Sequence, residues 1–475
     1  MSQTEGAPAQ ARGRGGSSGR LSGKSLGLWA CTCLVIGNVV GSGFFLSPAA
    51  LAPYGTVALV GWIVMSAGAM CLGLIFARLG RLAPAAGGPY AYTRMGFGGF
   101  AGFLIAWGYW ISMWSSQPAM ALAFVGYLKY FVPELSSFSS LLIALAAMWL
   151  VVLVNIRGVK EAGLFQMAVV TAKLIPFLGI ALIGLFWVEW DHFTPINPTP
   201  QPFFVALSAT APLTMFAFLG IESATVPGED VKDPKRTIFL ATILGTATAA
   251  LIFTLGTLVV MGVMERSALG ASSAPFSDAA SAMWGPWAGY VVAAAAMLSS
   301  LGALNGWTLL MSQVPMAAAR NGVLPGVFSH LNRRGVPARG IYISVGLSTL
   351  LLVLQSSGDN RLISIYDFIV DLSTVSEMIP YVFCTLVEGV LLLTLGRTLG
   401  YYNPRTYIPI AVVAFFFSIW TIYGSGPEAG MWGLLLLLAG LPFYVFLQRG
   451  QPAANPALAD GLTIPPAATS KDIVP

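Results

Sequence analysis

The sequence predicts an all-α integral membrane protein with about twelve transmembrane helices. Of its 475 residues, 56% are hydrophobic and only 9% are charged, whereas a soluble domain carries about 25% charged residues. The apolar residues also come in runs of about 20, the length that a helix needs to cross a hydrocarbon core of about 30 Å. We number these runs as spans one to twelve and place them at 27–52, 56–77, 98–127, 138–156, 162–187, 203–227, 237–263, 286–315, 340–356, 362–394, 406–423 and 430–447.

The basic residues predict the orientation of the chain. With the N-terminus inside, the outside segments hold only Lys129, Arg266 and Arg361, and Lys173 falls within a span. All the other Lys and Arg residues lie in inside segments, and cytoplasmic loops are enriched in these residues. We therefore expect both termini in the cytoplasm. Because the net charge of +5 is spread over short loops, no nucleic-acid partner is expected.

Two tails flank the membrane domain at 25–449. Residues 1–24 are rich in Gly, Ser, Ala and Arg, and residues 450–475 are rich in Pro and Ala. These compositions favour disordered cytoplasmic tails. The two His residues fall in predicted loops without a nucleophile or metal-ligand cluster. We expect no enzyme activity, no metal and no cofactor.

Two spans are interrupted. Span one reads IGNVVGSGFFLSPAAL, with Gly37, Gly41 and Gly43 in its middle, and span six reads FAFLGIESATVPGED, with Gly220 and Glu222. Glycine costs a helix interior about 1 kcal/mol, and a carboxylate at the bilayer centre costs more. Irregular backbone persists in a membrane only inside protein or beside a water-filled cavity. We predict that both helices are discontinuous.

The positions of the interrupted spans indicate an internal repeat. Each is the first of a block of five, as two inverted five-helix repeats would produce, at about 25–187 and 203–394, with extra helices at about 406–447. Discontinuous helices in matching positions of two halves indicate the binding site of a transporter. The alternative is that Gly37-x-x-x-Gly41 only packs two helices closely. The second interruption favours the binding site.

Four motifs carry a family resemblance: IGNVVGSGFFLSPAAL, GGPYAY at 87–92, FLGIESATVPGEDVKDPKR at 218–236 and LGALNGWTLL at 301–310. They resemble the amino acid–polyamine–organocation (APC) superfamily, above all its basic amino acid/polyamine antiporters such as the arginine/agmatine exchangers. The resemblance implies a LeuT-like fold, alternating access and a homodimer. It also implies a bacterial inner-membrane antiporter that exchanges a cationic amino acid for its decarboxylated amine or another amino acid. A proton-coupled amino acid symporter is the alternative.

The resemblance also implies how the substrate backbone binds. The break in span one would offer the N–H groups of Ser42 and Gly43 to the substrate carboxylate, at the positive end of a half-helix. The carbonyl groups of Phe216, Ala217 and Leu219, at the break in span six, would accept the substrate ammonium group.

Further positions match the family's side-chain pocket. Phe216 stands where the arginine exchanger has a tryptophan that stacks on the guanidinium, and phenylalanine attracts a cation less strongly. Trp307 matches a second aromatic residue that occludes the site. Packing in the bilayer is the alternative for both rings, and interhelical hydrogen bonding is the alternative for the small polar residues. The other matching residues are Ser112, Met113, Gln117 (an asparagine in the exchanger) and Met120 on span three, with Asn38, Tyr109 and Ser373 at substrate-lining or gating positions.

Five charged residues within the spans need an explanation. Glu222 resembles the glutamate that couples protons to substrate movement, and a permanently paired carboxylate is the alternative. Lys173 stands where some relatives have a lysine in place of a bound sodium ion, which implies sodium independence. Asp371 and Glu377 are separated by roughly 120° around span ten. One could face the pocket, but we favour a solvated vestibule for both. Glu388, nearer the cytoplasmic end, suggests no role.

Overall fold

A computed structural model describes residues 27–82, 87–157, 174–225, 231–358, 362–395 and 404–448. The regular elements within these ranges are helices. They are α1 (Leu28–Val39), α2 (Ser42–Phe45), α3 (Ser47–Leu51), α4 (Val57–Leu82), α5 (Pro89–Leu128), α6 (Ser137–Asn155), α7 (Leu174–Trp187), α8 (Phe203–Phe218), α9 (Pro234–Val263), α10 (Arg266–Ala271), α11 (Pro275–Trp284), α12 (Pro286–Arg320), α13 (Ala338–Gly358), α14 (Leu362–Leu395), α15 (Pro404–Gly424), α16 (Gly426–Leu438) and α17 (Leu441–Gln448).

Nine helical segments in the described ranges are long and apolar enough to cross a membrane. They coincide with spans two, four and six to twelve of the sequence prediction. Span one is divided among α1, α2 and α3, and span three lies within α5. Span five ends in α7, while its first part, including Lys173, lies outside the described residues, as do the two predicted tails. The chain is therefore a multi-pass membrane protein.

The outer surface of the bundle is apolar. Large hydrophobic side chains such as Phe186, Phe204 and Leu393 are 86%, 77% and 78% exposed. A water-soluble protein rarely exposes extensive apolar patches, whereas these side chains match the hydrocarbon of a bilayer. The helix faces that point outward are thus suited to lipid.

The break in span one lies between α1 and α2. Helix α1 ends at Val39, and the backbone of Val40 (φ −77°, ψ 81°) and Gly41 (φ −136°, ψ −150°) is not helical. Helix α2 then begins at Ser42 and lasts only to Phe45. This is the interruption that the glycines predict.

The break in span six follows α8. Leu219 has an extended backbone, and Gly220 has a φ of +94°, a conformation that favours glycine because a Cβ atom would be strained there. A short 3₁₀ turn, Ser223–Thr225, follows. The backbone thus leaves the helix after Phe218, and Glu222, two residues beyond Gly220, is buried in the bundle.

Helix α5 begins earlier than predicted. The sequence placed the start of span three at residue 98, but α5 begins at Pro89 and includes most of the GGPYAY stretch. Proline is favoured in the first turn of a helix, where its missing N–H costs nothing. The predicted start coincides with Gly98, whose φ of +81° bends the helix. Beyond this bend α5 packs along α12 and α14.

Candidate functional site

The two helix breaks touch each other. An ideal Cβ atom on Gly43 would lie 2.8 Å from Cδ1 of Phe216, closer than real Cβ contacts, and 3.0 Å from Cα of Ala217, closer than most of them. Asn38 also donates a hydrogen bond from Nδ2 to Ser223 Oγ at 3.0 Å. The glycine thus allows the backbone of the first break to lie against the end of α8.

A small cavity lies between the two breaks. Its volume is about 10 Å³ for the centre of a water-sized sphere, which is near the lower limit for a single water molecule. A larger solute therefore needs the walls to move. The lining residues are Asn38, Val39, Gly41, Gly43, Met120, Phe216, Leu219, Ala303 and Trp307.

Most of these lining residues were singled out from the sequence. The exceptions are Val39 and Ala303, which lie within the motifs that carry the family resemblance, whereas Gly41 was named as part of the interruption of span one. Gly41 is in tight contact with Ala303, because a Cβ atom on Gly41 would lie 2.8 Å from the alanine Cβ. Small residues at both positions bring α12 close to the break in span one.

Aromatic residues form much of the cavity wall. Phe216 is 5% exposed and meets Tyr366 edge-on, with ring centroids 6.3 Å apart. The indole N–H of Trp307 donates to the backbone carbonyl of Asn38 at 3.4 Å. Tyr366 donates from its hydroxyl to the carbonyl of Gly43 at 3.3 Å. Sequence analysis missed Tyr366, although it lies seven residues before Ser373 on span ten and so on the same helix face.

Polar residues join α5 to α14. Three are spaced by three along α5 and three by four along α14, so each set lies on one helix face. Ser115 and Ser373 are hydrogen-bonded at 3.1 Å, and Ser112 donates to Oε2 of Glu377. The six residues are Tyr109, Ser112, Ser115, Ser373, Glu377 and Tyr381, all buried.

Glu222 lies between these two faces. Its side chain is fully buried. Tyr109 donates a hydrogen bond to Oε1, and Tyr381 donates one to Oε2. Tyr109 and Glu222 were both candidate gating residues in the sequence, and the structure brings them together. Tyr381 was missed, although it follows Ser373 by eight residues and thus shares its face of α14.

Glu377 does not lie in a solvated vestibule, so that prediction was wrong. Its side chain is fully buried and accepts a hydrogen bond from Ser112, which lies one turn along α5 from Tyr109, a donor to Glu222. The reason is its spacing of four from Ser373, which turns it toward α5. Asp371 lies on another side of α14 and is half-buried, with Asp367 nearby. The two acids thus occupy different faces, as predicted.

Four of the remaining candidates do not line the cavity. Ser112, Met113, Gln117 and Ser373 are buried within the bundle. Nε2 of Gln117 has no hydrogen-bond acceptor among the described residues. Ser42 is the first residue of α2.

A buried ion pair lies further along α14. Arg78 on α4 and Glu388 on α14 are 5% and 0% exposed and form a salt bridge. The Arg78 guanidinium also lies 3.9 Å from the ring centroid of Tyr407 on α15. Sequence analysis assigned no role to Glu388, because the partner is distant in the chain. In the structure, the Arg78–Glu388 ion pair and the contact with Tyr407 connect α4, α14 and α15.

The chain matches known membrane transporters over most of its length. The family model described as "Amino acid permease" matches residues 26–432. The chain is 30% identical over 431 residues to the putrescine transporter PotE of Haemophilus influenzae, covering 90% of this chain and 98% of that protein. It is 29% identical to PotE of Escherichia coli strain K12, covering 88% and 95%. It is also 33% identical over 368 residues to the cadaverine/lysine antiporter of the same strain, covering 76% and 82%.

These similarities agree with the fold and with the site between the helix breaks. They indicate a transporter of small amines or amino acids rather than an enzyme. The chain belongs to the amino acid permease family of the APC superfamily.

Proposed function

We propose that the protein is a sodium-independent antiporter that exchanges a cationic amino acid for its decarboxylated amine or another amino acid. The observation that carries this proposal is the contact of two helix breaks around one cavity, with Phe216 and Trp307 in its wall. The relatives named as a putrescine transporter and a cadaverine/lysine antiporter support the choice of cationic solutes.

The two breaks offer complementary groups to an amino acid. The N–H groups of Ser42 and Gly43 open α2, and the first N–H groups of a helix have no partner within it. They would bind the substrate carboxylate. The carbonyls of Phe216, Ala217 and Leu219 would accept the ammonium group. The Phe216 carbonyl already accepts the Leu219 N–H at 3.2 Å and keeps a second lone pair.

The side chain of the substrate would lie between the aromatic rings. Phe216 and Trp307 can attract a cation through their ring faces. Met120 lines the same cavity, and Ser112, Met113, Gln117 and Ser373 are buried within the bundle. Asn38 links the breaks through Ser223. Opening the cavity toward Ser112, Gln117 and Ser373 would make room for a long cationic side chain.

Alternating access would use the whole bundle. We infer twelve spans in two inverted five-helix repeats plus two extra helices, in the bacterial inner membrane. The interruptions in spans one and six support the repeats, since they occupy matching positions. The distribution of Lys and Arg supports cytoplasmic termini. The proposal also includes a homodimer and sodium independence through Lys173. It further includes proton coupling through Glu222, with Tyr109 as a gate.

Counterflow in proteoliposomes tests the exchange. Vesicles loaded with arginine, lysine, ornithine, agmatine, putrescine, cadaverine or a neutral amino acid would be given radiolabelled arginine or lysine without sodium. We expect uptake only into vesicles that hold a basic amino acid or its amine, and none into protein-free vesicles. Equal uptake into unloaded vesicles under a proton gradient would instead favour a proton-coupled symporter, which the buried Glu222 also suits.

The substitution Glu222→Gln tests proton coupling. It removes the ionisable group and keeps an amide oxygen that can accept a hydrogen bond from a tyrosine. We expect the pH dependence of uptake to flatten while substrate binding is retained. A pH profile equal to that of the wild type would refute the coupling role of Glu222.

A further inference from the structure

Two carboxyl groups share one buried site. Glu222 follows the break after α8 and Glu377 lies in the middle of α14, and both side chains are 0% exposed. The two groups belong to one hydrogen-bond network. Tyr109 on α5 donates to Glu222, and Ser112, one turn further along α5, donates to Glu377. Tyr381, one turn beyond Glu377 on α14, also donates to Glu222. In the described part of the chain, neither forms an ion pair with a basic side chain. The site therefore brings two acids together without a described counter-ion.

Two negative charges cannot persist in such a place. Removing a carboxylate from water is costly even after relaxation, and two carboxylates that share a site cannot both ionise readily. A proton between them removes one charge and replaces the repulsion with a charge-assisted hydrogen bond. The pair is thus expected to hold one proton when no cationic solute is near.

The hydrogen-bond donors around the pair indicate which oxygen carries that proton. Both oxygens of Glu222 accept hydrogen bonds, from Tyr109 and Tyr381. Oε2 of Glu377 accepts one from Ser112. Oε1 of Glu377 is the remaining oxygen, and it has no donor among the described residues. An ionised carboxylate needs donors, whereas a protonated one supplies its own.

We propose that Glu377 and Glu222 form a proton-sharing pair in which, in this conformation, Glu377 carries the proton on Oε1 and donates it to the ionised Glu222. In a transfer, the O–H bond of Glu377 breaks as an O–H bond forms on Glu222, and the negative charge moves to Glu377. This inference deepens the proton coupling proposed above and depends on it for its effect on transport. Glu377 would hold the proton and position it for Glu222, and it would not bind the substrate.

The pair connects directly to the cavity. Leu219 lines the cavity and Gly220 packs against Trp307, with an ideal Cβ on Gly220 3.2 Å from the indole. Only a few bonds separate these residues from Glu222. Movement of the cavity wall around a solute would therefore shift Glu222 relative to Glu377, and so change how the proton is shared.

Few other titratable groups face the pair. From α5 it is faced by Tyr109, with Tyr92 further away, and from α14 by Tyr381, with Cys384 further away. Phe76 on α4 packs against the Tyr381 ring and cannot titrate. The tyrosines donate to Glu222 and stay neutral near pH 7, because their ordinary pKa is about 10. The carboxyl pair is thus the group at this site that can take up or release a proton.

Infrared spectroscopy of the purified protein at neutral pH tests where the proton resides. The readout is the C=O stretching band of protonated carboxylic acids, compared among the wild type, Glu377→Gln and Glu222→Gln. We expect E377Q to lose intensity in this band, because the glutamine amide donates to Glu222 in place of the proton. We expect E222Q to keep it. Loss in E222Q with retention in E377Q would overturn the assignment.

Either variant alone can test which carboxyl group carries the proton. If E377Q cannot be purified, loss of the band in E222Q alone refutes the proposal and its retention supports it. Both variants would be compared with the wild type by elution profile and melting temperature before their spectra are interpreted.

The pH dependence of uptake separates this inference from the proposed function. Interacting acids titrate in two macroscopic steps, so we expect E377Q to leave one step where the wild type shows two. A flat E222Q profile together with a wild-type E377Q profile would overturn the shared proton and leave the antiporter proposal standing. A wild-type profile in E222Q would overturn proton coupling by Glu222, while the infrared comparison would still decide the position of the proton.

Discussion

Because the two helix breaks are in close contact, adding one methyl group at Gly43 should strongly affect solute binding. In Gly43→Ala, the new Cβ would lie 2.8 Å from Cδ1 of Phe216, 3.0 Å from Cα of Ala217 and 3.2 Å from its N atom, whereas ordinary contacts measure 3.4–4 Å. The Phe216 ring can rotate, but the backbone of α8 must move. The substitution therefore separates the two breaks or displaces a wall of the cavity.

The cost of Gly43→Ala follows from overpacking. Inserting a methyl group into a closely packed site costs about 1–3 kcal/mol. If the whole cost falls on the conformation that binds the solute, its affinity decreases about 5- to 150-fold. The measurement is equilibrium binding of a radiolabelled solute that supports counterflow, with uptake into proteoliposomes measured in parallel.

Gly346→Ala is the matched control. Gly346 lies within α13 and has open space at its Cβ position. The same chemical change there should leave binding unaltered and can stabilise the helix by about 1 kcal/mol. Wild-type affinity and uptake in Gly43→Ala would show that the two breaks do not need this close contact, and would refute the reasoning.

Three further substitutions test contacts of the bundle. Glu388→Gln should lower the melting temperature, because it leaves the buried Arg78 guanidinium without its carboxylate. The expected loss of stability is about 3–5 kcal/mol, and an unchanged melting temperature would contradict this. Tyr381→Phe removes a hydrogen bond to the Glu222 carboxylate worth about 1.5–3 kcal/mol, so the pH profile of uptake should shift. A wild-type profile would speak against the contact. Trp307→Ala should reduce solute affinity by removing a cavity wall, and binding at wild-type strength would exclude that function.

The membrane class and most of the spans could be predicted because they depend on local properties of the chain. A run of about 20 apolar residues crosses a bilayer whatever it packs against. The breaks near Gly41 and Gly220 were predictable for a similar reason, since glycine weakens a helix wherever it lies. The motifs around these glycines also indicated most of the residues that line the cavity.

The environment of the charged residues could not be read from the chain in this way. Glu377 was placed in solvent because a charge in a span suggests a vestibule, and its spacing from Ser373 did not reveal which face of α14 points inward. The partners of Glu222 and Glu388 come from helices far away in the chain. Such contacts depend on how helices rotate and pack against one another, and helical periodicity specifies a face but not the neighbour that covers it. The sequence therefore determined the membrane fold and the two breaks, whereas only the packing of α4, α5, α8 and α14 decided which buried charges meet.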